Sequence, residues 1–92
     1  MTKKPKLTVE EHASIGARLA GIRDELTTLY VELANAYPQS GPEAAPARKA
    51  EKALKSIDDA RSDLENALYW EHPEQAATTT YYPHREDRAQ VG

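Results

Sequence analysis

A long and regular row of apolar residues is the feature that most constrains the fold of this chain. From His12 onward, the row advances in alternating steps of three and four residues. Its members are His12, Ile15, Leu19, Ile22, Leu26, Leu29, Leu33 and Ala36. Such steps place every member on one side of an α-helix, at positions a and d of a heptad repeat. The row therefore predicts a long amphipathic helix that packs as the helices of a coiled coil do.

Local signals predict the ends of this first helix. Thr8, followed three residues later by Glu11, forms the capping-box pattern, in which each side chain binds a free backbone N–H group at a helix start. At the other end, Pro38 disfavours helical geometry at Tyr37. We therefore expect helix 1 to span about 9–37.

A second helix is expected after a short turn. The segment 38–42 contains proline at both ends and glycine within it, which is typical of a turn. Pro46 is tolerated only in the first turn of a helix, and Pro73 ends one, so we expect helix 2 at about 44–71. Its apolar face consists of Ala50, Ala53, Leu54, Ile57, Ala60, Leu64, Ala67 and Leu68.

The two helices should lie side by side in opposite directions, because a short turn joins helices of nearly equal length. With the turn centred near Ser40 to Gly41, the numbers of facing residues add to about 82. Leu29 then lies near Ala53 and Ile22 near Ala60, so large residues meet small ones. We expect the alanine row at positions 53, 60 and 67 to let the helices approach closely.

Chain length limits how stable such a hairpin can be by itself. Ninety-two residues form one domain at most, and its core usually supplies only a few kcal/mol of stability. Cysteine is absent, so disulfides, thiol catalysis and cysteine-based metal sites are excluded. We divide the chain into a basic N-terminal arm (1–7), a helical hairpin (8–72) and a tail (73–92) that is expected to be extended or disordered. The fold class is all-α, a coiled-coil-like hairpin that completes a helical bundle by self-association or by docking on a partner.

Several aromatic and leucine residues fall beside the two apolar rows and indicate where a partner would bind. A two-helix unit has one mutual seam, so these flanking side chains would stay in water without a partner. Aromatic residues are also favoured at the centres of protein interfaces. The predicted partner interface consists of Tyr30, Tyr37, Leu54, Arg61, Leu68, Tyr69, Trp70, Tyr81 and Tyr82.

These features favour a non-enzymatic protein–protein interaction or assembly module. It would be a homodimeric regulator or adaptor, or a structural subunit of a larger complex such as a virion. No catalytic triad context, phosphate-binding glycine loop or dinucleotide motif is evident, so we expect no enzyme activity and no cofactor. No apolar stretch has the length of a signal peptide core or a membrane span, which favours the cytoplasm. The frequent Ala, Arg, Glu and Asp are typical of GC-rich bacterial or phage genomes.

Two alternative functions remain open. A nucleic-acid-associated dimeric regulator would contact phosphates through Lys3, Lys4 and Lys6. The hairpin register also brings His12 close to Glu71 and His72, where a metal ion or a cryptic enzymatic site could lie. A histidine that closes the end of the apolar row is the simpler interpretation, so no metal ligand is predicted.

Overall fold

The computed structural model describes residues 6–90 and consists mainly of two long helices. Helix α1 spans Val9–Ala36 and helix α2 spans Ala45–Glu71. Strands are absent from the described residues, and the predicted all-α hairpin is confirmed. Three short 3₁₀ turns lie at Pro42–Ala44, Thr78–Thr80 and Arg85–Asp87.

The start of α1 forms the capping box that the sequence predicts. The Thr8 hydroxyl accepts a hydrogen bond from the backbone N–H of Glu11 at 3.0 Å, and the Glu11 carboxylate accepts one from the backbone N–H of Thr8 at 2.9 Å. Two N–H groups that a helix start leaves free are thereby satisfied. At the other end, Tyr37 adopts extended backbone geometry ahead of Pro38, and the helix ends at Ala36.

A compact turn joins the two helices. Gly41 has φ 75°, a left-handed conformation that glycine adopts without a steric penalty. The 3₁₀ turn at Pro42–Ala44 leads directly into α2, whose first turn contains Pro46. The helix ends at Glu71, and its final N–H bond is made by His72 to the carbonyl oxygen of Leu68 at 2.8 Å.

Three polar pairs between the helices define their antiparallel register. His12 Nε2 lies 2.9 Å from Glu71 Oε1 at the open end of the hairpin. Near the middle, Arg23 Nε donates to Asp58 Oδ1 at 2.6 Å and Arg23 Nη2 donates to Asp58 Oδ2 at 3.3 Å. Closer to the turn, the Tyr30 hydroxyl donates to Glu51 at 3.4 Å. The residue numbers of each pair add to within one of 82, so these contacts match the predicted register.

The rotation of α1 differs from the prediction. The α1 residues whose side chains bond to α2 are His12, Arg23 and Tyr30, which are separated by about three and two whole helical turns and therefore share one side of the helix. Arg23 is one residue beyond Ile22 and so points about 100° away from it. The predicted apolar row is consequently turned partly away from α2, and His12 is its only buried member.

The alanine row of α2 was also assigned too large a role. Ala53 and Ala67 are only partly buried and Ala60 is exposed. The buried alanines of this part of the chain lie closer to the turn, at Ala44, Ala47 and Ala50.

The hydrophobic core of the described chain is small. Its buried apolar residues are Ala20, Ala44, Ala47, Ala50, Leu68, Tyr81 and Pro83. The molecule is flat, with extents of 48 × 36 × 19 Å, and its radius of gyration is 16.1 Å. A globular chain of this length would have a radius of gyration of about 12 Å. The hairpin thus lacks the thickness that would cover both of its faces.

The tail from Pro73 to Gln90 is short and loose, but it is attached to the hairpin at several points. It returns along α1, where the backbone N–H of Ala89 donates to the carbonyl oxygen of Ala17 at 3.1 Å. Arg88 Nη1 donates to both carboxylate oxygens of Asp24, at 2.9 and 3.0 Å. The tail therefore covers one side of the hairpin and leaves the other uncovered.

Candidate functional site

The most extensive uncovered apolar surface lies on α1. We call this surface the Leu/Ile face. It consists of Ile15, Leu19, Ile22, Leu26, Leu29 and Leu33. None of the six is buried, and Ile22 and Leu29 are 39% and 44% exposed. On α2, Leu54, Ile57 and Leu64 are likewise only partly buried. The strongest apolar pattern in the sequence is therefore left partly in contact with water.

The ion pair between Arg23 and Asp58 helps to hold α1 in this rotation. The hydrogen bonds from the Arg23 guanidinium lower the pKa of the Asp58 carboxyl, against the opposing effect of burial. Both side chains keep more than a third of their surface in water, so the pair contributes modestly to stability. Arg23 bonds to α2 here, whereas its neighbour Ile22 in the apolar row is 39% exposed.

A second side of α1 carries small residues and is covered by the tail. Gly16 is buried, and a Cβ atom at this position would overlap the carbonyl oxygen of Thr80. Ala20, one turn further along, is 2% exposed. Glycine within a helix costs about 1 kcal/mol relative to alanine, and the close passage of the tail backbone explains why it is used here. Gly16 thus leaves the space in which the tail backbone packs against the helix.

Tyr81 fills the space beneath the tail and joins a buried polar cluster. Its side chain is fully buried, and its hydroxyl hydrogen-bonds to His12 Nδ1. The other nitrogen of His12 lies 2.9 Å from the Glu71 carboxylate, so both ring nitrogens have a partner. Burial, together with the negative charge of Glu71, raises the pKa of Tyr81 to about 12. The phenol therefore stays protonated at neutral pH and cannot serve as a ready nucleophile.

His72 extends this cluster to the start of the chain. Its Nε2 donates a hydrogen bond to the carbonyl oxygen of Leu7 at 2.8 Å. Its ring meets that of His12 edge-on, with centroids 6.0 Å apart. One donor atom from each of His12, Glu71 and His72 lies within 4.8 Å of the other two. The open end of the hairpin thus gathers two imidazoles and a carboxylate, a set that suits a borderline metal ion.

Arg61 ties the tail to α2. Its Nε donates to the carbonyl oxygen of Tyr81 at 3.0 Å, and its guanidinium carbon lies 4.3 Å from the centre of the Tyr82 ring. Nη1 is 3.5 Å from Asp58 Oδ1. The residue is 6% exposed and is used within the chain.

The structure divides the predicted partner interface into available and unavailable residues. Leu68 and Tyr81 are fully buried, and Arg61 nearly so, because the tail folds over them. These three side chains are therefore not exposed to a partner in the folded chain. The exposed members are Tyr37, Tyr69, Trp70 and Tyr82, and the partly buried ones are Tyr30 and Leu54. Trp70 is 84% exposed and makes an isolated apolar projection at the open end.

The predicted phosphate-contacting residues are only partly described. Lys3 and Lys4 lie outside the described residues, whereas Lys6 is exposed. A single lysine, Lys6, is weak evidence for nucleic-acid binding.

Sequence reasoning missed the Leu/Ile face as a surface, because the same residues were assigned to the seam with α2. A signal was present in the regular spacing of His12, Arg23 and Tyr30, three polar or aromatic residues along one line of the helix. The contact between His12 and Tyr81 could not be found in this way, since the two residues are 69 positions apart.

Comparisons with protein-family models, curated proteins and solved structures gave no match for this chain. Within residues 6–90, neither α1 nor α2 contains an apolar stretch of the length and hydropathy that crossing a bilayer requires.

Proposed function

We propose that this protein is a non-enzymatic assembly module that forms a homodimer through the Leu/Ile face. Two hairpins meet with these faces together and form a four-helix bundle, the arrangement in which two-helix units bury their remaining apolar surface. The proposal places the protein in the cytoplasm, where it acts as a small regulator, an adaptor or a subunit of a larger structure. The observation that supports it is that none of the six large residues of the Leu/Ile face is buried and two of them, Ile22 and Leu29, are exposed, while the chain's own core is mostly alanine.

The size of the face is adequate for a stable dimer. A helix of 28 residues is about 40 Å long, and two helices side by side are roughly 20 Å wide. The hairpin can therefore present about 800 Å², which is the area that each partner buries in a standard protein interface. A second copy would also double the thickness of a molecule whose shortest extent is 19 Å.

Charged residues beside the face favour an antiparallel arrangement of the two copies. Arg18, Glu25 and Glu32 are exposed and recur every seven residues, so they follow one edge of the Leu/Ile face. In antiparallel copies this edge faces the same edge of the other copy. With the copies centred near Glu25, Arg18 of each copy lies near Glu32 of the other, which gives two attractive pairs against one repulsion between the two Glu25 side chains.

Light scattering at micromolar concentration tests the proposal. The wild-type chain should have twice the monomer mass of 10.2 kDa. A variant with Ile22→Glu and Leu29→Glu should be monomeric with unchanged helicity, because both side chains are already exposed in the single chain. Val31→Glu is the matched control: Val31 is 49% exposed, and it lies about 200° around the helix from Leu29. A wild-type chain that stays monomeric, or a control that dissociates as the double variant does, would refute the proposed dimer.

A further inference from the structure

We propose that His12, Glu71 and His72 bind a zinc ion that closes the open end of the hairpin. This inference goes beyond the proposed dimer and does not depend on it. One donor atom of each residue already lies within 4.8 Å of the other two. In a tetrahedral zinc site the ligand atoms are about 3.3 Å apart, so small side-chain rotations complete the geometry.

The chemistry of the donors selects zinc over the hard cations. Two imidazoles and one carboxylate form a ligand set that suits zinc, whereas magnesium and calcium prefer oxygen ligands throughout. Three protein ligands leave the fourth position to water. His12 is fully buried and Glu71 has 17% of its side chain exposed, so the ion would be held at the edge of the interior with one side facing solvent.

Both histidines already have the outer hydrogen bonds that metal-bound histidines usually make. His72 Nε2–H donates to the Leu7 carbonyl, which leaves the lone pair on Nδ1 for the ion. His12 has the Tyr81 hydroxyl at Nδ1 and Glu71 at Nε2. Zinc at Nε2 would require the ring proton at Nδ1, where the Tyr81 oxygen would accept it in a hydrogen bond, with the hydroxyl hydrogen of Tyr81 turned away from the ring.

An ion at this position would connect the separate segments of the chain. His12 belongs to α1 and Glu71 to α2. His72 bonds to Leu7, the residue before the capping box, and His12 also bonds to Tyr81 of the tail. The chain has no cysteine and a small core, and a bound metal is one of the usual reinforcements of small folds. Zinc would therefore stabilise the tail and the hairpin together.

Isothermal titration of the metal-stripped full chain with zinc chloride, together with thermal unfolding by circular dichroism, tests this site. We expect one zinc ion per chain, and a rise in Tm of at least about 10 °C when zinc is at about 100 times its Kd. His72→Ala should weaken binding at least about 100-fold, since loss of even an outer hydrogen-bond partner costs 10- to 100-fold. Glu71→Gln, which keeps the side-chain shape, should weaken it as well.

His84→Ala is the control, because His84 is an exposed histidine of the tail outside the cluster and its loss should leave zinc affinity unchanged. Far-UV circular dichroism of each metal-free variant establishes that it is folded. The monomeric Ile22→Glu and Leu29→Glu variant should bind zinc as the wild type does, which separates this site from the proposed dimer. The proposal is overturned if the wild type shows no zinc binding and no shift in Tm, or if His72→Ala binds as tightly as His84→Ala.

Discussion

The two sides of α1 differ in the size of their side chains and in how far the rest of the chain covers them. On the side of Gly16 and Ala20, small residues let the tail backbone pass close to the helix, and the buried polar groups beneath it find partners within the chain. On the Leu/Ile face, the large apolar side chains are only partly covered by the described chain, and Ile22 and Leu29 are exposed. The tail therefore completes one side of the hairpin, and the other is the side that we propose a second copy covers.

This difference shows that apolar character alone does not decide which surface becomes the core. Glycine and alanine bury little apolar area, yet they permit the backbone contacts that bring in Tyr81. Leucine and isoleucine bury more area per residue, but only when an element of suitable length faces them. In this chain Arg23 bonds to Asp58 on α2, while Ile22 and Leu29 of the apolar row are exposed.

The largest expected effect is a difference in the free energy of unfolding between substitutions of two neighbouring tyrosines of the tail. Tyr81→Ala removes a fully buried ring and leaves His12 without its hydroxyl partner, so it should lower the free energy of unfolding by about 3–5 kcal/mol. Tyr82→Ala removes a ring that is 44% exposed and rests on Arg61, and it should cost about 1 kcal/mol or less. Urea unfolding at one protein concentration measures both. Similar losses would mean that the tail is not seated as described.

The second effect is the change in stability caused by Gly16→Ala. Its sign shows whether contact with the tail or helix propensity dominates at this position. Propensity alone predicts that Gly16→Ala stabilises the protein by about 1 kcal/mol. The overlap with the Thr80 carbonyl predicts instead a loss of about 1–3 kcal/mol, because backbone must shift.

The matched experiment repeats Gly16→Ala in a chain that ends at Ala77, which lacks the overlapping carbonyl. There the substitution should become stabilising. If it stabilises the full chain as well, the tail does not lie against Gly16.

A smaller effect concerns the ion pair between Arg23 and Asp58. The pKa of Asp58 is lowered in the folded protein, so the unfolded state binds its proton first as the pH falls. The pair therefore contributes to stability above about pH 4, and the contribution disappears as the pH falls through the lowered pKa. Asp58→Asn should cost about 0.5–1 kcal/mol at pH 7, a range that allows for solvent screening, and almost nothing near pH 2.

Urea unfolding at both pH values measures this difference. Asp63→Asn serves as the control, because Asp63 is an exposed carboxylate of α2 with no ion pair among residues 6–90. A pH dependence that is the same in both variants would exclude a special role for Asp58.

The smallest expected effect concerns the orientation of the two copies. Arg18→Glu replaces the proposed attraction to Glu32 of the other copy by repulsion, at each of two symmetric positions. We expect the dimer to be weakened by roughly 1 kcal/mol, about fivefold in Kd, with the effect reduced at high salt. Sedimentation equilibrium at two salt concentrations measures it. Tighter association of Arg18→Glu would exclude the antiparallel arrangement.

Much of the fold could be predicted from local patterns. The capping box of Thr8 and Glu11, the prolines and the heptad spacing predict two helices, their turn and their register, because these depend on residues close in sequence. The rotation of α1 could not, since Ile22 and Arg23 differ by one position and the choice between them is made by Asp58, far along the chain. The site beneath the tail could not be predicted from the sequence either, because Gly16, Thr80 and Arg61 come together only after the tail folds back.

The central claim is that association covers the Leu/Ile face and leaves other sides of α1 free. The chain lacks cysteine, so a single introduced thiol reports on one position. Leu29→Cys and Val31→Cys place it at sites that are 44% and 49% exposed in the single chain, on different sides of the same helix. We predict that the rate of thiol labelling at position 29 falls at least tenfold as protein concentration rises through the dimer Kd, while the rate at position 31 stays constant. Equal rates at both positions across all concentrations would contradict the account.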